Sequence, residues 1–228
     1  MSGIRIGLVV GFGLLVFGMG NTASAKEHLF VGVAKCRTCH KKELIGNQYG
    51  EWQKGPHAKA FTTLKGDKAI KLAKEKGLAT PPHESPECLK CHVTAHGVPA
   101  AQIRYPLKAS DGVQCESCHG PGNDYRKKKT MSDEKKAIAA GMWQPGKEAK
   151  LCTTCHNDES PSWDPKKFKL AGGTTVGFDF EQAKEKIAHE IPEDVKGHYL
   201  ELVAKKKAAG QAGGGAADDE EEDEAEDE

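Results

Sequence analysis

The five-residue pattern Cys-x-x-Cys-His occurs four times, as CRTCH at Cys36–His40, CLKCH at Cys88–His92, CESCH at Cys115–His119 and CTTCH at Cys152–His156, and together these use all eight cysteines of the chain. Two cysteines three apart lie on nearly the same side of one helical turn. There they can bond the two vinyl groups on one edge of a porphyrin, while the following histidine reaches the iron. Each copy therefore reads as an attachment site for a c-type haem, with Cys36, Cys39, Cys88, Cys91, Cys115, Cys118, Cys152 and Cys155 as thioether positions and His40, His92, His119 and His156 as proximal iron ligands. Two other uses of paired cysteines compete. Zinc ribbons combine two Cys-x-x-Cys knuckles, but tetrahedral zinc does not require a histidine after the second cysteine every time. A disulfide framework suits small secreted domains but gives the four histidines no role.

The first 25 residues have the pattern of a secretory signal, with Arg5 before an apolar run from Ile6 to Met19 and Ala23-Ser24-Ala25 as a small-x-small cleavage site. The run is short for a span of about 20 residues, so cleavage before Lys26 is favoured over a retained anchor. Export suits the haem reading and predicts a periplasmic protein with no transmembrane segment in the mature chain. The zero formal net charge averages two unlike parts. Ten acidic residues crowd Asp218–Glu228, while residues 26–217 carry 32 Lys plus Arg against 23 Asp plus Glu. A basic body of this kind steers acidic redox partners, although lysines are also ordinary solvated surface. No nucleic-acid partner is expected. Residues 26–204 form the expected folded domain, and 205–228, all Lys, Ala, Gly, Gln and acid, cannot bury anything and read as a disordered tail.

The few aromatics and many charges of the mature chain leave little for a conventional core. The expectation is a mainly α fold, with short helices and long loops wrapped around four haems. Leu44, Ile45, Gln48 and Trp52 predict a helix running on from the first motif until Gly55-Pro56 stops it. His57 opens a second short helix with Phe61 and Leu64 on one side, and stands where it could reach an iron. Asp67–Lys76 reads as an amphipathic helix ended by Gly77. His83 sits in a turn-rich linker. His96 is too close to His92 to cross to the other face of the same haem, but it could reach a different one. The alternation of Ile103, Tyr105 and Leu107 within Ala101–Val113 suggests a brief strand. Ser132 is placed as the cap of a helix ending before Gly141. A Pro- and Gly-rich connector leads to a helix finishing near His189, and another begins at Pro192 with Val195, His198, Tyr199 and Leu202 on one face.

Taken together, the chain resembles the tetrahaem cytochrome c-554 family, periplasmic carriers that accept electrons from hydroxylamine oxidoreductase. The resemblance lies in CRTCH, Trp52, HAKAF at His57–Phe61, CLKCHV, GVQCESCHGPG at Gly112–Gly122 with Tyr125-Arg126, CTTCH, Pro161 and Trp163, and FDFE at Phe178–Glu181 leading to a histidine. It implies haems in closely stacked pairs, His57 as a distal ligand and the histidine after FDFE as another, placed on His189 with His198 as fallback. It also implies a five-coordinate second haem and two histidines on each of the others. A family ligand shortly after CESCHGPG has no counterpart in GNDYRKKK. His96 is the substitute for the fourth haem's distal ligand, with His83 next and Met131 or Met142 as thioether alternatives.

The resemblance implies an electron carrier between a donor oxidoreductase and a downstream carrier. The competing expectations are reduction of nitric oxide or a similar molecule at a five-coordinate haem, and a structural role in a haem filament.

Overall fold

The structure, a computed structural model, describes residues 27–147 and 149–196 and the isolated positions 201, 204, 205, 208 and 209. The signal segment, His198, Tyr199, Leu202 and the acidic run lie outside the described residues. The chain is mainly helical, in short pieces separated by irregular connections. The first motif lies on α1 (Val33–His40), the second on α5 (Pro86–His92) and the third on α6 (Glu116–His119). The fourth spans α9 (Lys150–Thr153) and the turn after it. Between the first two come α2 (Gln48–Lys54), α3 (Ala60–Thr63) and α4 (Asp67–Glu75). Between the last two come α7 (Lys128–Met131) and α8 (Glu134–Ala139). A two-stranded antiparallel hairpin, β1 (Phe168–Lys169) and β2 (Thr175–Val176), precedes α10 (Phe180–Ile187).

Three local expectations are corrected. The helix expected across Leu44–Trp52 is broken into a 3-10 turn (Glu43–Ile45) and α2, because Gly46 at φ 92° and Asn47 at φ 42° both leave the right-handed region. Asn47 then caps α2 by accepting from the Gly50 N–H at 3.0 Å. Ala101–Val113 makes no strand. It holds 3-10 turns at Ala100–Gln102 and Ala109–Asp111 and a single bridge from Ile103 to Phe30. Three apolar residues cannot sustain a ladder between Pro99 and Pro106. Ser132 ends α7, and Asp133 is the residue that caps α8, accepting from the Lys136 N–H at 3.2 Å. Asp67 opens α4, Gly55 follows α2 and α10 ends two residues before His189, as the sequence predicts.

The interior is thin. Among the described residues the buried apolar side chains are Val31, Val33, Ile45, Leu64, Ala73, Tyr125, Ala137, Phe168 and Val195, drawn from separate elements rather than from one packed layer. A chain of this length normally relies on a larger apolar core, so polar ties carry much of the architecture. The foremost is Glu116, fully buried, whose carboxylate accepts from Val31 N at 2.9 Å, Gly32 N at 2.8 Å and Gly122 N at 2.7 Å. Gln114 adds a bond from Val33 N at 2.7 Å. The segment before the first motif is thereby fastened to the third, 81 to 85 residues away in sequence.

Candidate haem-binding site

Each motif histidine owes its position to a local tie on its Nδ1 side or to burial. His40 Nδ1 lies 3.2 Å from Gln48 Oε1, and Gln48 also donates to the carbonyl of Ile45. This couples the first motif to the broken helix after it. His92 Nδ1 lies 2.7 Å from the carbonyl of Ala60, which joins α5 to α3. His119 is buried, and its carbonyl accepts from the Trp143 N–H at 2.8 Å. A histidine held through Nδ1 presents Nε2, and metal-binding histidines are oriented by this kind of partner.

The four turns are brought together in a set order. The thiols of Cys36 and Cys115 are close neighbours, as are those of Cys91 and Cys155, and Cys118 is close enough to Cys152 and Cys155 to feel their charge. In space the motifs therefore run first, third, fourth, second. Two further histidines stand across from motif histidines. The His57 ring centre is 6.2 Å from that of His156, and the His189 ring centre is 6.0 Å from that of His119. Two imidazoles on opposite sides of one metal, with bonds of about 2 Å and about 1 Å more to each ring centre, stand about 6 Å apart. His57 is set by its turn: Val113 N donates to the His57 carbonyl at 3.0 Å, and Trp52 Nε1 donates to the Val113 carbonyl at 2.8 Å. His189 is fixed by an Nδ1 contact of 3.0 Å with the Ile187 carbonyl.

Electrostatics favour neutral rings. Burial lowers the pKa of His40, His57 and His156, and burial together with the His189 charge takes His119 down to about 4. Neutral imidazole is the form that ligates a metal. Several thiols are shifted the other way, although Cys115 is lowered by its contact with Cys36. Burial and neighbouring thiols push Cys91 and Cys118 up to about 11. Among the described residues no three His, Cys, Asp or Glu side chains converge on a metal position. Each Cys-x-x-Cys pair thus lies beside a histidine, and the residues present are of the kind that could hold haem c.

The remaining sequence candidates fall elsewhere. The structure brings His57, rather than His96, to the fourth motif. His96 is exposed, beside Ala95 at φ 56°. His83 has the opposite arrangement to the motif histidines: its Nε2 lies 3.5 Å from Glu84, while its Nδ1 is buried without a hydrogen-bond partner. Sequence reasoning passed over three residues: Gln48 and Glu116, as the groups that orient the first and third motifs, and His28, whose Nδ1 lies 2.8 Å from Asp124 Oδ2. The signal for Glu116 was its place inside CESCH. The partners of Gln48 and His28 could be seen only in three dimensions.

A mainly helical chain with Cys-x-x-Cys-His turns and facing histidines has the build of a c-type cytochrome. A family model described as cytochrome c554 and c-prime matches residues 35–120, which include the first three motifs. Cytochrome c-554 of Nitrosomonas europaea is 32% identical over 153 residues, 61% of this chain and 63% of that protein. Over these residues the chain is similar to the cytochrome c554 family. The chain spans a little under two thirds of that relative's length. No solved structure matches it.

Proposed function

We propose that this protein is an exported, periplasmic tetrahaem c-type cytochrome that carries electrons between redox proteins. The observation that carries this reading is the joining of four Cys-x-x-Cys-His turns into one continuous series, two of whose histidines face a second histidine at about the span of an axially ligated iron. Haem supplies the one-electron chemistry when bound. The chain supplies the rest. Cys36, Cys39, Cys88, Cys91, Cys115, Cys118, Cys152 and Cys155 attach the groups. His40, His92, His119 and His156 hold the proximal side, and His57 and His189 hold the distal side at the fourth and third motifs. Two fixed imidazoles would hold an iron on both sides with little room to rearrange, which would suit electron transfer rather than catalysis. The basic body favours an acidic donor or acceptor, in keeping with a partner of the oxidoreductase kind.

A second reading, reduction of nitric oxide or a similar small molecule, is favoured by one observation. Among the described residues no histidine ring faces His92 as His57 faces His156. Protein matured in a host able to attach haem c decides both points. Mass spectrometry is expected to show polypeptide plus four haems, and bare polypeptide would end the reading. Rapid oxidation and reduction by protein partners without turnover of nitric oxide supports the carrier. Steady turnover supports the enzyme.

A further inference from the structure

We propose that Phe178 is a positioning residue for the fourth haem: its ring, stacked on His156, fixes the plane of that proximal imidazole and holds it crossed to the facing imidazole of His57. The inference rests on the haem reading above and adds to it a residue that is not itself a ligand.

The fourth motif lacks a tie that two of its fellows have. His40 Nδ1 is held by Gln48 and His92 Nδ1 by the Ala60 carbonyl. Among the described residues no side chain or carbonyl hydrogen-bonds the His156 ring. A hydrogen bond normally sets the rotation of a ligating imidazole. Here an aromatic face stands in its place. The centres of the Phe178 and His156 rings are 5.4 Å apart and their planes are 16° from parallel. An offset stack of this kind is attractive, and it restrains rotation of the imidazole, because turning drives the ring edge into the phenyl face.

Phe178 can serve because it is itself held. Phe168, 6% exposed, meets it edge-on, with centres 6.0 Å apart and planes at 80°. Phe168 in turn pairs with Val176 across the hairpin of β1 and β2. Gly177 lies so close to the Trp163 indole that a Cβ there would overlap the ring, which sets the backbone just before Phe178. On the other side Asp179 caps α10, accepting from Gln182 N at 2.9 Å, and the Gln182 amide donates to the Lys169 carbonyl at 3.1 Å. The hairpin and the start of α10 thus form a seat for one ring.

The consequence is electronic. The planes of His57 and His156 are 61° apart. Two imidazoles that bind one iron with their planes crossed act on different d orbitals of π symmetry and leave the two close in energy. Aligned planes split them, and the splitting stabilises the single vacancy of the ferric ion. A crossed pair therefore gives a more anisotropic low-spin EPR signal and a higher potential than an aligned pair. Phe178 in this way tunes how readily the fourth haem accepts an electron.

The test uses the full chain matured with haem, as wild type, Phe178→Leu, Phe178→Met and Phe178→Tyr, with low-temperature EPR and a redox titration of each. Wild type is expected to show the strongly anisotropic low-spin signal of crossed imidazoles. Leucine and methionine fill space without offering a flat face. In those two variants one such signal is expected to become less anisotropic and one potential to fall, with the haem mass and the number of low-spin irons unchanged. Phe178→Tyr keeps the face and is expected to match wild type. A wild-type spectrum in both Phe178→Leu and Phe178→Met overturns the assignment alone, as does a shift in Phe178→Tyr as large as theirs. Loss of haem or of a low-spin iron in both also overturns it, since Phe178 would then hold the motif together rather than set an angle. Absence of any strongly anisotropic signal in wild type overturns it without recourse to a variant. A wild-type protein without attached haem overturns both this assignment and the reading beneath it.

Discussion

At the scale of single residues, Glu116 is the most consequential group that is not itself a ligand. Three backbone amides depend on one fully buried carboxylate. A buried amide left without its acceptor costs about 1–3 kcal/mol, so Glu116→Ala is expected to destabilise the protein by about 3 kcal/mol or more. Glu116→Gln keeps one acceptor oxygen and is expected to cost less than half as much. Urea unfolding of the two variants checks the order. Acid acts through His119. Its pKa in the folded chain, about 4, lies below the ordinary value of about 6.5. Below pH about 6.5 the unfolded chain therefore takes up a proton that the folded one refuses. Stability is expected to fall as pH drops from about 6.5 to about 4 and to level off below that. Denaturant titrations of the haem-free polypeptide across this range would show the slope, and an increase in stability on acidification would contradict it. The four Cys-x-x-Cys-His turns could be read directly from the sequence, because their spacing is itself the signal. The amides that Glu116 and Gln114 hold could not, since neither side chain carries any mark of a partner 81 or more residues away.

At the scale of elements, the turns matter more than the helices. Gly112 has a φ of 66°, and a Cβ on it would meet the His57 carbonyl at 2.6 Å and that of Ala58 at 3.0 Å. Gly112→Ala is expected to push the His57 turn away from the fourth motif and to reproduce the spectrum of His57→Ala, with one low-spin iron becoming high-spin, although the histidine is still present. EPR of the two variants side by side tests this, and a wild-type spectrum for Gly112→Ala would count against the turn's role. The amphipathic α4 and the capped α10 were legible because periodicity and end signals agree there. The break at Gly46-Asn47 was not. Leu44, Ile45, Gln48 and Trp52 keep helical spacing across it, but Gln48 must turn back to serve both His40 and the Ile45 carbonyl. The hairpin of β1 and β2 was missed for a different reason. Two-residue strands carry too little alternation to detect, and the hairpin is held by its Gly172-Gly173 turn and by Phe168 packing edge-on to Phe178.

At the scale of the whole molecule, charge and interior both bear on partners. Among the described residues no helix is long and apolar enough to cross a membrane. The acidic run Asp218–Glu228 opposes the basic body that precedes it. Removing it is expected to speed electron exchange with an acidic partner at low salt, by up to about tenfold, and to make the rate more sensitive to ionic strength. Stopped-flow reduction of the full and shortened chains over a salt series would show this, and equal rates would leave the tail without an electrostatic role. That the fold is mainly helical could be read from the sequence. The order in which the motifs meet could not, because it is set by contacts between segments far apart in the chain.

That order has a consequence for how the molecule can be divided. The first motif meets the third and the second meets the fourth, so the two partnerships cross along the polypeptide. A cut anywhere between Cys91 and Cys115 separates both couples at once, and leaves together only the third and fourth motifs, which also meet. The protein is therefore not two smaller cytochromes joined end to end. Separating the halves is expected to strip the first and second motifs of their neighbours.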